Sequence, residues 1–158
     1  MDKLDIVTDE SGNEVVLLPE IIFSNKQNIN WNDVEDYLGK YVGELIEIAE
    51  TRDIIYIGNK FPDEYGGSSY TRKTKGARAK AKANAAQGIR EMVEIATDKV
   101  YRENHKEKHS EDAHNGWFYY VTRFAIPLYN NEKKTGEYNV YSACLVVNHG
   151  PMSRFSTS

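Results

Sequence analysis

Two long runs near the end of this chain limit its fold more than any other feature. Trp117–Tyr129 and Tyr138–His149 are rich in aromatic and β-branched residues, and Asn130–Glu137 between them is polar and turn-forming. That pattern predicts two strands in a hairpin, paired antiparallel. Alternation in the first run separates Phe118, Tyr120, Thr122, Phe124 and Ile126 from Trp117, Tyr119, Val121, Arg123 and Ala125. Arg123 is the odd member of the second set. A lone arginine on an apolar strand face needs a partner, either a phosphate or a carboxylate such as Glu47 or Glu94. Pro127 marks an edge position or a bulge.

Upstream the pattern changes period. Trp31, Val34, Tyr37, Leu38, Tyr41 and Val42 recur at helical spacing, with Asn30 as N-cap and Asp33 in the first turn. Leu45–Ala49 and Asp53–Ile57 read as strands around Glu50-Thr51-Arg52, although Leu45–Ala49 also reads as a continuation of the helix. Ile21–Phe23 reads as a short strand, and Phe61–Tyr70, with Gly66-Gly67, as a loop. Ala79, Ala83 and Ala86 form a small-residue stripe on a long helix, or on two helices broken at Gly88. The expected architecture is α+β: an N-terminal helix and a long basic helix packed on an antiparallel sheet. Residues 1–20 read as an acidic arm, frayed or folded as a short hairpin around Ser11-Gly12-Asn13. Residues 21–150 read as one domain and 151–158 as a disordered tail.

Charge divides the chain. The first 64 residues hold fifteen Asp/Glu against five Lys/Arg. Arg72, Lys73, Lys75, Arg78, Lys80, Lys82 and Arg90 then follow with no acid among them, and His105-Lys106-Glu107-Lys108-His109 closes the stretch. The net charge of −4 averages these two regions and describes neither. Lys75, Arg78 and Lys82 share one helix face, which is the footprint of a phosphate-binding surface and equally that of a solvated helix. Lys80, Lys106 and Lys108 extend the candidate nucleic-acid contacts. The acidic residues within 1–64 suit a basic protein partner.

The single cysteine, Cys144, excludes an internal disulfide and reads as a structural thiol. The start lacks the features of a signal peptide, and no apolar run approaches membrane-spanning length, so the cytosol is the expected location.

Three chemistries compete. His105 and His109 stand at the i, i+4 spacing of a zinc pair, but Lys106 replaces the glutamate of a zinc-protease motif and adjacent lysines disfavour a cation. Neither a metal nor another cofactor is therefore expected. No Gly-x-Ser-x-Gly elbow is present, and Cys144 has no activating setting. Metal-independent RNA cleavage needs a base for the 2′-hydroxyl, an acid for the leaving 5′-oxygen and cations for the phosphorane. The cluster His105–His109, Tyr119, Tyr120, Thr122, Arg123, Ser142 and His149 contains every one of these groups.

Ala77-Arg78-Ala79-Lys80-Ala81-Lys82-Ala83-Asn84-Ala85-Ala86-Gln87-Gly88-Ile89 resembles the signature of a family found in phage and mobile-element polyvalent proteins. Tyr56-Ile57-Gly58, Phe61-Pro62-Asp63-Glu64, Glu94-Ile95-Ala96-Thr97, Lys108-His109, Gly116-Trp117 and Arg123–Pro127 extend the resemblance over about residues 20–149. Such domains are associated with the barnase–EndoU–colicin–RelE-like nucleases, which place helices before an antiparallel sheet and cut RNA without metal. The resemblance implies Lys80 and Lys82 as backbone contacts, His109 as acid or base and Arg123 as phosphate clamp, with Tyr120 and Ser142 as further catalytic candidates. It also implies a further strand after His149, where this chain has a short polar tail. Loss of that strand would leave a binder without catalysis, for example an anti-CRISPR-type inhibitor of a ribonucleoprotein effector. The expected function is counter-defence on RNA, a guide RNA being one substrate.

Overall fold

The structure is a computed structural model and describes residues 3–24, 28–67, 71, 75–103, 116–148 and 155–157, the last three by backbone alone. His105, Lys106, Lys108, His109, His149, Arg72 and Lys73 lie outside the described residues. The fold is α+β. Its main sheet is built on the hairpin of β6 (Trp117–Asn130) and β7 (Lys133–Asn148), antiparallel from Trp117↔Asn148 to Asn130↔Lys133. The connection is tighter than the polar run suggested. Asn131 and Glu132 both take positive φ (51° and 68°), the geometry of a two-residue primed turn, so most of the expected loop is strand. Pro127 sits at a bulge, where the register shifts before Tyr129.

Residues 1–20 contribute to the sheet. β1 (Ile6–Thr8) and β2 (Glu14–Leu17) form the hairpin alternative, with Asp9 Oδ1 accepting from the Ser11 and Asn13 amides at 2.9 Å each. β2 then pairs in parallel with β6 at Val16↔Phe124 and Leu17↔Ala125, burying Val15, Val16 and Leu18. β5 (Thr97–Arg102) pairs with β6 further along the same edge, and β8 (Phe155–Thr157) pairs with β7. The expected disordered tail therefore includes a strand.

β3 (Leu45–Glu47) and β4 (Ile54–Tyr56) form a separate two-stranded ribbon, which settles Leu45 onward as strand. Asn30 caps α1 (Trp31–Leu38), accepting from the Asn32 and Asp33 amides. Phe61–Gly66, expected as loop, is the helix α2, begun by Pro62 in its first turn. The basic helical stretch divides into α3 (Ala77–Asn84), a 3-10 turn (Ala85–Gly88) and α4 (Ile89–Glu94). Gly88 lets the backbone approach β2 closely: a Cβ there would stand 3.2 Å from Leu18 Cδ2 and 3.3 Å from Val16 Cγ1.

Alanines let α3 pack tightly. Ala79 and Ala83 join one hydrophobic cluster with Trp31, Ile89 and Leu145, while Ala81 and Ala85 join a second with Met92 and Phe124. Asn84 is fully buried, and its side chain takes the place of a pairing strand for the segment expected as a strand at Ile21–Phe23. Its Oδ1 accepts from the Ile22 and Phe23 amides (2.8 and 3.1 Å), and its Nδ2 donates to the Phe23 and Lys80 carbonyls (2.9 and 2.8 Å). Gln87 Nε2 donates to the Glu20 carbonyl at 2.9 Å.

Candidate nucleic-acid interface

The helices cover one face of the β5–β6–β7 sheet, and alternation sends the remaining side chains to the other. Thr122 is fixed on the helix side by a 2.7 Å bond from its Oγ1 to the Met92 carbonyl, and Phe124 by stacking on Tyr141 at 5.5 Å. Arg123, between them, leaves on the open face. Register partners share a face, so Ser142 stands opposite Arg123, Cys144 opposite Val121 and Val146 opposite Tyr119. β5 brings Val100 beside Tyr119 and Arg102 beside Trp117. The Arg102 guanidinium lies 5.5 Å from the centre of the Tyr119 ring.

The result is a face of two arginines and two large aromatics, exposed at Arg102, Ser142 and Cys144, half-buried at Trp117, Tyr119 and Arg123, and buried at Val146 and Asn148. From Val100 on β5 to Val140 on β7, none of its register positions holds Asp or Glu, in a chain with 24 of them. At one end Asn148, opposite Trp117, is 4% exposed, and its Oδ1 has no hydrogen-bond partner among the described residues. Both carboxylates expected as ion-pair partners for Arg123 are engaged elsewhere. Glu94 binds Lys3 at 2.8 Å, Glu47 faces Arg52 at 3.7 Å, and no described carboxylate pairs with Arg123.

The structure brings Arg123 and Ser142 together and separates Tyr120 from both. Tyr120 faces the helices, is 1% exposed, and donates to Asp53 Oδ2 at 2.6 Å. Lys99 and Thr51 donate to the same oxygen at 2.8 Å each. Burial alone would raise the Asp53 carboxyl, but these three hydrogen bonds outweigh it and hold it below the usual carboxylate value. Burial, then the anionic neighbour, pushes the Tyr120 phenol far above its ordinary value, so it remains a proton donor to Asp53. Tyr120 thus ties the β3–β4 ribbon to the main sheet.

The basic stretch also divides. Lys75, Arg78 and Lys80 are exposed, whereas Arg90 forms an ion pair with Glu44. Lys82 turns inward, donating to Thr71 Oγ1 at 2.9 Å with its ammonium 5.0 Å from the Tyr65 ring centre. These side chains belong to the helix side of the sheet, apart from Arg123.

Sequence reasoning missed Arg102 because it missed β5. Thr97, Val100 and Tyr101 carry strand propensity, but a bulge between Thr97 and Val100, with Asp98 at φ 58°, breaks the alternation. Among the described residues no group of three or more His, Cys, Asp or Glu is placed to hold a metal, and no described helix is long and apolar enough to cross a membrane. Compared with known protein families, curated proteins and solved structures, the chain matches none.

Proposed function

We propose that the chain binds single-stranded RNA across the open face of its sheet and cleaves it without a metal ion. The observation that carries this reading is the acid-free face holding Arg123, Arg102, Tyr119 and Trp117. Arginines bind phosphate bidentately and aromatic rings stack on unpaired bases, which is how sheet surfaces hold single strands.

In the cleavage step the 2′-oxygen attacks phosphorus as a base removes its proton. The bond to the 5′-oxygen breaks as an acid protonates it, leaving a 2′,3′-cyclic phosphate. Arg123 holds the non-bridging oxygens while Ser142, beside it, donates a hydrogen bond. His109 is assigned one of the two proton transfers. In sequence His109 lies between Arg102, the last residue of β5, and Trp117, the first of β6, and these two residues are register partners at one end of the open face. The resemblance of the alanine–lysine run supports placing this chemistry in mobile-element conflict, with a guide RNA as one substrate.

End-labelled single-stranded and guide RNAs incubated in excess EDTA test the reading. Discrete products ending in cyclic phosphate are expected, with His109→Ala lowering the rate about 10²–10⁴-fold, the usual contribution of one acid–base group. Intact RNA with a salt-sensitive mobility shift would overturn cleavage and favour a non-catalytic inhibitor of a ribonucleoprotein effector. One observation favours that second reading: ten of the fourteen described carboxylates before residue 65 are exposed, offering an acidic surface to a basic protein.

A further inference from the structure

Lys82 opens onto a cavity of about 360 Å³ lined by α3, by Thr122 and Phe124 of β6 and by Tyr141, Ser142, Ala143, Cys144 and Leu145 of β7. The cavity follows the seam between the two hydrophobic clusters: Trp31, Ala79 and Leu145 line it from one, Met92 and Phe124 from the other. It also holds charge. Lys82 and Arg78, four residues apart on one helix face, both line it, and none of its described lining residues is Asp or Glu. Among the described residues the half-buried Lys82 ammonium bonds to one neutral hydroxyl and faces a ring, which compensates its charge poorly. Accordingly, burial pushes the Lys82 ammonium below the ordinary lysine value. An apolar cavity of this size with a few convergent cationic groups has the make-up of a site for a small organic anion.

The walls narrow the choice of anion. Phe124 and Tyr141 stack nearly parallel (19°) along one side, which gives a planar group an aromatic edge and face to pack on. We propose that this cavity binds a nucleoside phosphate, its base among Trp31, Phe124 and Tyr141 and its phosphate on Lys82 and Arg78. The ligand is either a free mononucleotide or the phosphorylated end of an RNA strand. Ser142 and Cys144 also line the cavity, so it adjoins the Arg123 face along β7, but nucleotide binding in it does not require RNA cleavage there.

Trp31 lines the cavity and serves as reporter once Trp117 is replaced by Phe. Adenosine 5′-monophosphate, a 5′-phosphorylated tetraribonucleotide, adenosine and inorganic phosphate are titrated into this variant, with calorimetry as a second readout. Saturable quenching by the monophosphate identifies a free-nucleotide site, and quenching by the phosphorylated tetramer alone identifies a strand-end site. Lys82→Met, which keeps the aliphatic stem, is expected to weaken either by about tenfold or more, the loss of a charge-assisted contact. Arg123→Ala should leave binding unchanged even if it abolishes RNA cleavage. Unchanged circular dichroism and melting of Lys82→Met separate loss of the contact from loss of the fold. Should Lys82→Met itself unfold, Arg78→Gln at the exposed mouth supplies the same comparison with a smaller expected loss. The proposal is overturned if neither phosphorylated probe binds, if adenosine binds as well as its monophosphate, or if a folded Lys82→Met binds as wild type does.

Discussion

Tyr120→Phe separates architecture from chemistry at a residue that invites both readings. The substitution removes one oxygen and leaves the ring, so the core around Leu145 is not opened. What is lost is a 2.6 Å hydrogen bond to an ionised carboxylate. Bonds of this type contribute about 1.5–3 kcal/mol. The Asp53 side chain is 32% exposed, and Lys99 and Thr51 still donate to it, so the lower end applies. A loss of about 1.5 kcal/mol is expected at pH 7, roughly a 3–6 °C fall in melting temperature for a domain of this size. The pH dependence is specific. Asp53 titrates lower in the fold than in the unfolded chain, so its stabilisation is full above the unfolded value of 3.8 and is lost as pH falls through the folded value. The difference between wild type and Tyr120→Phe should therefore shrink as pH falls below 3.8, and Asp53→Asn should shrink it at pH 7. Denaturant unfolding of the four proteins of the double-mutant cycle, at pH 7 and in acid, gives both quantities. RNA binding and cleavage should be untouched, since Tyr120 faces away from Arg123. Equal stability at pH 7 would refute the energetic argument, and a stable variant without cleavage would return Tyr120 to the reaction.

Other perturbations follow from the same geometry. Asn84→Ala strands the Ile22 and Phe23 amides; Ile22 is exposed and both bonds are part-buried, so the low end of about 1–3 kcal/mol per buried orphan applies and the expected loss is roughly 2 kcal/mol in urea unfolding; a loss under about 1 kcal/mol would show that water replaces the side chain. Replacing Arg102 and Arg123 together by Gln should flatten the log–log salt dependence of RNA binding by about 1.4, two contacts at about 0.7 each for a single strand. A larger change from the Lys75→Gln, Lys80→Gln pair would place the RNA on the helix side instead. Cys144 is exposed opposite Val121 on the open face, so a maleimide adduct there should block RNA binding without lowering the melting temperature. Binding by the fully labelled protein would remove that face from the interface.

The parts of the fold legible in the sequence were those whose side chains report their own burial. The alternation of β6, the helical spacing of Trp31, Val34 and Leu38, and the Asn30 cap all state a local preference that the tertiary structure keeps. The N-terminal strands were harder to read because β2 pairs in parallel with a strand more than a hundred residues away, a contact local pattern does not encode. Ile21–Phe23 misled for a related reason. Its backbone is held by Asn84 from a helix and, one residue earlier, by Gln87, so strand propensity there found no strand partner among the described residues. At the site, Arg123 could be singled out as a cation on an apolar strand. Arg102 could not, because the bulge at Asp98 hides the strand that positions it.

The basic run shows why a motif and a site must be argued separately. Within Ala77–Ile89, Ala79, Ala81, Ala83 and Ala85 pack the helix on two clusters. Asn84 and Gln87 hold residues 20–23, and Gly88 permits the approach to β2. Lys82 is drawn into a cavity, and only Arg78 and Lys80 among the cations of the run remain on the surface. Nearly every member of the run that distinguishes it from an ordinary basic helix is accounted for by packing or by a backbone hydrogen bond. A second chain carrying the same run would therefore be expected to share this helix–sheet junction whether or not it acts on RNA. The chemistry depends on residues outside the run, above all Arg123 and Arg102. A chain that kept the junction and lost both arginines should fold, retain the Lys82 cavity and fail to bind RNA on the sheet.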